Sequence, residues 1–245
     1  MFVIGRVTSG WLRCLSLGVV IALLQGCASV PNPDARDPFE SVNRGVFSFN
    51  DAVDRAVAKP VATVYKGITP FWFRKGVGNF FGNLDDVWSA FNNALQLRGQ
   101  ETGDSIGRVM VNTTIGLLGV VDVASDLNID KHPSNFGLTL GRWGVAPGPY
   151  LVLPLLGPSS LRDAVGLPVD SQGSILGKVS DVQVRDTLTL VNLVDTRAAF
   201  LGAGQVVEEA ALDKYSFIRD GYLQRRRNLV YDGNPPEEDE APLGK

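Results

Sequence analysis

The stretch from Gly141 to Asp163, GRWGVAPGPYLVLPLLGPSSLRD, restricts the fold more than any other. Between Arg142 and Arg162 lie nineteen residues without a charge, a length that would suit a membrane-spanning helix. Its punctuation forbids one. Pro147, Pro149, Pro154 and Pro158 remove backbone donors, and Gly141, Gly144, Gly148 and Gly157 loosen the chain between them. Irregular backbone cannot face hydrocarbon, because no water is there to pair its peptide groups. The segment, with Tyr150 at its middle, is therefore expected to be a packed, hairpin-like loop that other protein covers or that borders a wet cavity. The buried loop of a water-soluble domain is the alternative this stretch leaves open.

The N-terminus weighs against that alternative. Residues 1–26 read as a secretory signal, with Arg6 and Arg13 as its positive flank, Cys14 to Leu24 as its apolar core and Gly26 at the cleavage site. The run Leu24-Gln25-Gly26-Cys27 resembles a bacterial lipobox, which implies that Cys27 becomes the acylated first residue of the mature chain. Cys14 leaves with the signal, so one cysteine remains and no internal disulfide can form. Each buried methylene of an acyl chain contributes about 0.8 kcal/mol, enough in sum to anchor the protein without a spanning helix. Ala28 stands where some Gram-negative lipoproteins carry a retention aspartate, which by the same resemblance points to the outer membrane. Without Arg6 and Arg13 the chain has 21 basic against 26 acidic residues, and a formal charge of −5 argues against nucleic acid as a partner.

Four segments are expected: signal 1–26, lipidated N-terminus and tether 27–38, one helical domain 39–231, and an acidic, proline-rich, disordered tail 232–245. Asp37-Pro38-Phe39-Glu40 has the makings of a capped helix start. Phe39, Val42, Val46, Phe49, Val53 and Val57 then form one apolar face, which Pro60 is expected to end. Pro60 to Ile68 reads as a short helix stopped by Pro70. Phe71-Trp72-Phe73 beside Arg74 and Lys75 combines aromatics and cations as a membrane-headgroup contact would, though core packing explains aromatics as well. Two further faces, Val77 to Leu84 and Val87 to Leu95, are separated by a predicted recap at Asn83-Leu84-Asp85. Ile106, Val109, Met110 and Thr113 mark another helix, followed by Gly116 and Gly119, which permit a bend or close packing. Ser159 is expected to cap the next helix. Val184 to Ala198 gives a long one ending near Gly202 and Gly204, and Asp213 caps the last, which carries Tyr215, Arg219 and Tyr222 on one face. The run Arg225-Arg226-Arg227 complements the dipole of that helix or meets an anionic group. Strand-like alternation is scarce, so the fold class is mainly α.

Little of the sequence points to covalent chemistry. His132 is the only histidine, and no zinc-binding spacing is present. Gly103-Asp104-Ser105-Ile106-Gly107 matches a nucleophile elbow in letters, but the polar residues before it are no buried strand. Arg44, Arg108, Arg162 and Asp163 each sit beside apolar positions on predicted helices. Such charges are kept when paired or functional, and if they share a cavity they would suit a zwitterionic phosphate headgroup.

Taken in order, Asp37-Pro38-Phe39-Glu40 with Asn43-Arg44, Phe49-Asn50, Asn79-Phe80 with Asn83-Leu84, and Asn112-Thr113 with Gly116, Gly119 and Asp122 form a pattern. It continues through Phe136-Gly137, Thr139-Leu140-Gly141, Gly148-Pro149-Tyr150, Leu153-Pro154, Gly157, Leu161-Arg162-Asp163, Thr196-Arg197, and Asp213 with Tyr215, Arg219, Tyr222 and Gln224-Arg225. In this pattern the chain resembles the MlaA (VacJ) family of outer-membrane lipoproteins. The resemblance implies a single helical, ring-like domain embedded in the inner leaflet on the periplasmic face of the outer membrane. It also implies an amphipathic channel beside a flexible loop, which by position is Gly141 to Pro158. Its partners would be phospholipids, a trimeric outer-membrane porin and a periplasmic phospholipid-carrier protein. No cofactor is expected beyond the covalent lipid on Cys27, and no catalysis. A lipid-modifying hydrolase using Ser105 and a structural envelope lipoprotein are the alternatives.

Overall fold

The chain is described here from a computed structural model covering residues 34–236. The signal, Cys27 and residues 237–245 of the tail lie outside the described residues. Helix α1 (Glu40–Val53) passes through a single π-helical turn (Asp54–Ala58) into α2 (Lys59–Ile68) without a break. Pro60 therefore does not end the first helix, contrary to the sequence expectation. The Lys59 N–H bonds the Asp54 carbonyl across the widened turn, and that widening accommodates a ring that would strike the carbonyl one α-turn back.

Helix α3 (Phe71–Leu95) is continuous through Asn83-Leu84-Asp85, where a recap was expected. The Asn83 amide donates to Thr113 Oγ1 of α4 (Gly99–Thr114) and so ties two helices together instead of capping one. A short helix α5 (Val123–Asp126), α6 (Phe136–Arg142), a hairpin of β1 (Tyr150–Leu153) and β2 (Gly157–Ser160), and α7 (Leu161–Gly173) follow. Then come α8 (Val182–Ala199), α9 (Leu201–Ala210) and α10 (Lys214–Val230). Gly202 and Gly204 lie inside α9 and do not end α8. Ser160, not Ser159, caps α7 by accepting the Asp163 N–H, while the Ser159 hydroxyl donates to the Ser160 carbonyl.

The expected hairpin is present, antiparallel, with Tyr150 opposite Ser160 and Leu153 opposite Gly157. Asparagines of α1 fasten it. The Asn43 amide donates to the Tyr150 carbonyl and its oxygen accepts the Val152 N–H, and Asn50 treats Leu153 and Leu155 the same way. A side-chain amide offers one donor and one acceptor, so each asparagine imitates a neighbouring strand. Tyr150, Val152 and Tyr215 form the small apolar centre under this contact.

Polarity runs inside out. Among the described residues twenty polar or charged residues are buried against ten hydrophobic ones. The apolar face of α1 points outward, leaving Phe39, Phe49 and Val57 about half exposed, while Glu40 and Asn43 are buried. Helix α4 does likewise, with Ile106 and Met110 exposed and Ser105, Arg108 and Asn112 inside. Trp72 at the start of α3 and Ile68 before it are among the most exposed, at 73% and 76%. Most buried polar groups are bonded. Gln96 donates to Ser134 and Thr139, whose hydroxyl donates to Asn92.

Gly119 closes the turn after α4 at φ +91°, where a Cβ would lie 2.6 Å from Asn83 Cβ. Gly119→Ala is expected to destabilise by about 2–3 kcal/mol through left-handed strain and this clash, read as a lower thermal midpoint in detergent.

Candidate functional site

Helix α10 runs between two cavities and forms the wall they share. The larger, about 930 Å³, is lined by the Gly141–Gly148 bend, Ser160 and Arg162 of the hairpin and α7, Arg36, and the Asp220 to Tyr231 face of α10. The smaller, about 560 Å³, lies among α3, α6 and α7 on the other side. Tyr222 and Arg226 line both. Because successive helical residues point about 100° apart, the run Arg225-Arg226-Arg227 divides, with Arg225 on the smaller cavity, Arg227 on the larger and Arg226 on each. Arg227 does lie in the last turn, where it meets the negative end of the helix dipole, but the division of the run between two cavities is something one-dimensional sequence could not show.

Asp163 is the hub of the shared wall. Its carboxylate accepts from the Tyr222 hydroxyl, from Arg226 Nη2 at 2.6 Å and, more weakly, from Arg162 Nε at 3.4 Å. Burial raises the Asp163 pKa, but the bond and charge of Arg226, the Tyr222 bond and the Arg162 charge outweigh it and hold the group below the ordinary carboxylate value. The same contacts act on Tyr222, whose phenol is raised by burial and by the Asp163 carboxylate. Gly137 and Gly141, one turn apart on α6, leave room for the cluster. A Cβ on Gly137 would stand 2.4 Å from Asp163 Oδ1, and one on Gly141 would stand 2.7 Å from Arg162 Nη1.

Of the four charged residues expected to share a channel, Arg162 and Asp163 therefore meet at the wall, whereas Arg44 and Arg108 lie elsewhere. Arg44 is part exposed, bonds Glu40 and Asp213, and lies 4.4 Å from the Tyr215 ring. Arg108 is buried and holds α3, α4 and α5 through Asp86, Asp122, Ser125 and the Ile129 carbonyl. Along the expected gating loop, Gly141, Gly144, Pro147 and Gly148 line the larger cavity, while Tyr150, Pro154, Gly157 and Pro158 build the hairpin beside it. The Pro147 and Pro149 carbonyls accept the N–H groups of Arg162 and Leu161, and the Arg36 carbonyl accepts that of Tyr150. Backbone tethers thus surround the bend, leaving Leu155 and Leu156 at the hairpin tip exposed.

Ser105 lies within α4, buried, with its hydroxyl donating to the Glu101 carbonyl. His132 Nε2 contacts Asp104 at 2.9 Å. A serine inside a helix, its proton engaged by backbone and its histidine by another side chain, is not a nucleophile elbow. At the N-terminal end, Asp37 does not cap α1. Fully buried, it accepts from Asn43 and from the Tyr215 hydroxyl beside Arg219, joining the start of the domain to its last helix.

The charged clusters make stability depend on acid. Burial raises the Asp122 pKa, but hydrogen bonds from Ser125, Asn112 and Arg108 bring it from 3.8 to about 2. A carboxylate with a lowered folded pKa stabilises the fold above its unfolded value and loses that contribution as pH falls through the folded one. The thermal midpoint is expected to drop between about pH 4 and pH 2, with Asp122 accounting for about 2 kcal/mol. In Asp122→Asn the midpoint starts lower at neutral pH and falls less across that window.

The architecture defines a class: a mainly helical domain of inverted polarity, with apolar side chains outward and an arginine-lined cavity against its last helix. No helix among the described residues is long and apolar enough to cross a membrane. The MlaA lipoprotein family profile matches residues 35–229, and the chain belongs to that family. It is 33% identical over 209 residues to a protein of Rickettsia bellii, covering 84% of this chain and 80% of that one. It is 32% identical over 228 residues to the Escherichia coli intermembrane phospholipid transport system lipoprotein MlaA, covering 91% and 90%. A solved structure described as the structural basis for maintenance of bacterial outer membrane lipid asymmetry matches at a TM-score of 0.70 and 30% identity, over 79% of this chain and 98% of that one.

Proposed function

We propose that this protein is an outer-membrane lipoprotein that takes phospholipids misplaced in the outer leaflet and passes them toward the periplasm, preserving lipid asymmetry. The observation that carries the reading is the reversed polarity around the cavity of about 930 Å³. Exposed Ile68, Phe71, Trp72, Leu117 and Leu118 would be covered by acyl chains of the inner leaflet, with aromatics near the headgroups. The arginine-lined interior would receive a charged headgroup while its tails stay in lipid. Cys27 would carry the covalent lipid. The segment Gly141 to Pro158 would border the entrance, and a trimeric porin and a soluble periplasmic lipid carrier would be the partners that seat the protein and receive its cargo. Passage of an intact phospholipid requires no bond to break, in keeping with the position of Ser105.

Cells lacking the chain are expected to accumulate surface-exposed phospholipid, detected by labelling of outer-leaflet amines, and purified protein to retain phospholipid. A structural envelope lipoprotein would leave the outer leaflet unchanged and yield no bound lipid.

A further inference from the structure

The two cavities are separated by side chains held on a carboxylate, not by backbone alone. Tyr222 and Arg226, which line both, are fastened to Asp163, which lines neither. The fastening uses Arg226 incompletely. Its Nη2 donates to Asp163 and Asn135, while its Nε is buried with no hydrogen-bond partner. A guanidinium presents Nε and an Nη as a fork that fits two oxygens of a phosphate. Among the described residues, the larger cavity places Arg36, Arg162 and Arg226 around its space, with Asp220 as the acid of its lining.

We propose that Arg226, with Arg162 beside it, is a phosphate-group site, and that Asp163 is the internal anion that occupies it until a phosphate replaces it. On the transport reading, on which this rests, the phosphate is the phosphodiester of a lipid headgroup. Its oxygens engage the Arg226 fork, including the idle Nε, and the Tyr222 hydroxyl loses its acceptor as Asp163 withdraws. Tyr222 is then free to leave the wall, joining the two cavities only while a phosphate is present. The room that Gly137 and Gly141 provide keeps Asp163 and Arg162 at the wall rather than displaced by a methyl group.

The test is calorimetric binding to the full chain in detergent, using dihexanoylphosphatidylethanolamine, inorganic phosphate and dihexanoylglycerol. Arg226→Gln is expected to weaken binding of the phospholipid by about tenfold or more, as loss of charge-assisted hydrogen bonds does. Asp163→Asn, which removes the competing charge, is expected to tighten it by about tenfold. Tyr222→Phe removes one fastening bond while keeping the carboxylate, and is expected to tighten it about threefold. Should Asp163→Asn fail to fold, as seen by circular dichroism, the other two variants decide. Dihexanoylglycerol, which lacks the phosphate, is expected to respond to none of them.

If phospholipid binds the wild type but the variants leave its affinity unchanged, or if Tyr222→Phe and Asp163→Asn both weaken it, the site is wrong and the transport reading stands. A wild type that binds neither the phospholipid nor phosphate overturns both. Responses of inorganic phosphate alone would keep the anion site and assign it to free phosphate.

Discussion

Arg108→Met is expected to lower the unfolding free energy by about 3–5 kcal/mol. The Arg108 side chain is 3% exposed and serves two carboxylates, a hydroxyl and a backbone carbonyl. Methionine fills much of the same space without a charge. It leaves Asp86, itself 2% exposed, with Lys131 alone at 3.2 Å, and strips Asp122 of its two guanidinium bonds. A buried charge deprived of its partner destabilises more than the intact pair stabilised. The double variant Arg108→Met/Asp86→Leu should therefore recover part of the loss, because both ends of the contact become apolar. Thermal unfolding in detergent measures both against the parent. A single variant within about 1 kcal/mol of the parent would show that water reaches the cluster and compensates. The cluster lies apart from the larger cavity, so phospholipid recovered at permissive temperature should be unchanged.

What the sequence discloses is periodicity, and periodicity identifies a face without saying which way it turns. Phe39, Val42 and Phe49 were readable as one stripe of α1, and the usual inference turns such a stripe to the core. Here the stripe faces outward, because the buried side is supplied by Glu40, Asn43 and their bonds to the hairpin and α10. The lipobox-like run and the broken apolar segment were the two sequence features that pointed toward a membrane rather than a water-soluble core. The hairpin itself was legible because proline and glycine act locally, as was the Asp213 cap. Pro60 was misleading, since a single π turn absorbs it. Asp37 was misleading too, since its cap geometry yields to Tyr215, distant in sequence.

The wall residues show the same limit. Arg162 and Asp163 could be picked out as charges beside apolar positions. Their partner Arg226 stood in a basic run at a helix end, where a bland explanation sufficed. Only the path of α10 between two spaces separates Arg226 from its neighbours. Gly137, noted in sequence only as part of a pattern, and Gly141, read as the start of the loop, acquire another reason once Asp163 and Arg162 are seen packed against them in α6.

Asn43→Leu is the second large effect, expected at about 3–5 kcal/mol. Its side chain donates to Asp37 at 2.8 Å and to the Tyr150 carbonyl at 3.0 Å, and accepts the Val152 N–H at 2.9 Å. Leucine is close in size, so no cavity forms. The loss comes from a buried carbonyl and a buried N–H left without partners, each at about 1–3 kcal/mol, and from Asp37 losing a donor. Asn50→Leu removes the matching pair of bonds at the hairpin tip, where Leu155 is 69% exposed and water can take over. That exchange should cost only about 1 kcal/mol. Hydrogen exchange at the Val152 amide separates the two, rising sharply in the first variant and little in the second. Equal losses would mean that both asparagines face water and that the hairpin hangs on its own strand bonds, not on α1. The hairpin's far end runs into Arg162 at the start of α7, so Asn43→Leu should also displace that arginine from the proposed phosphate site, visible as weaker retention of phospholipid even at temperatures where the fold persists.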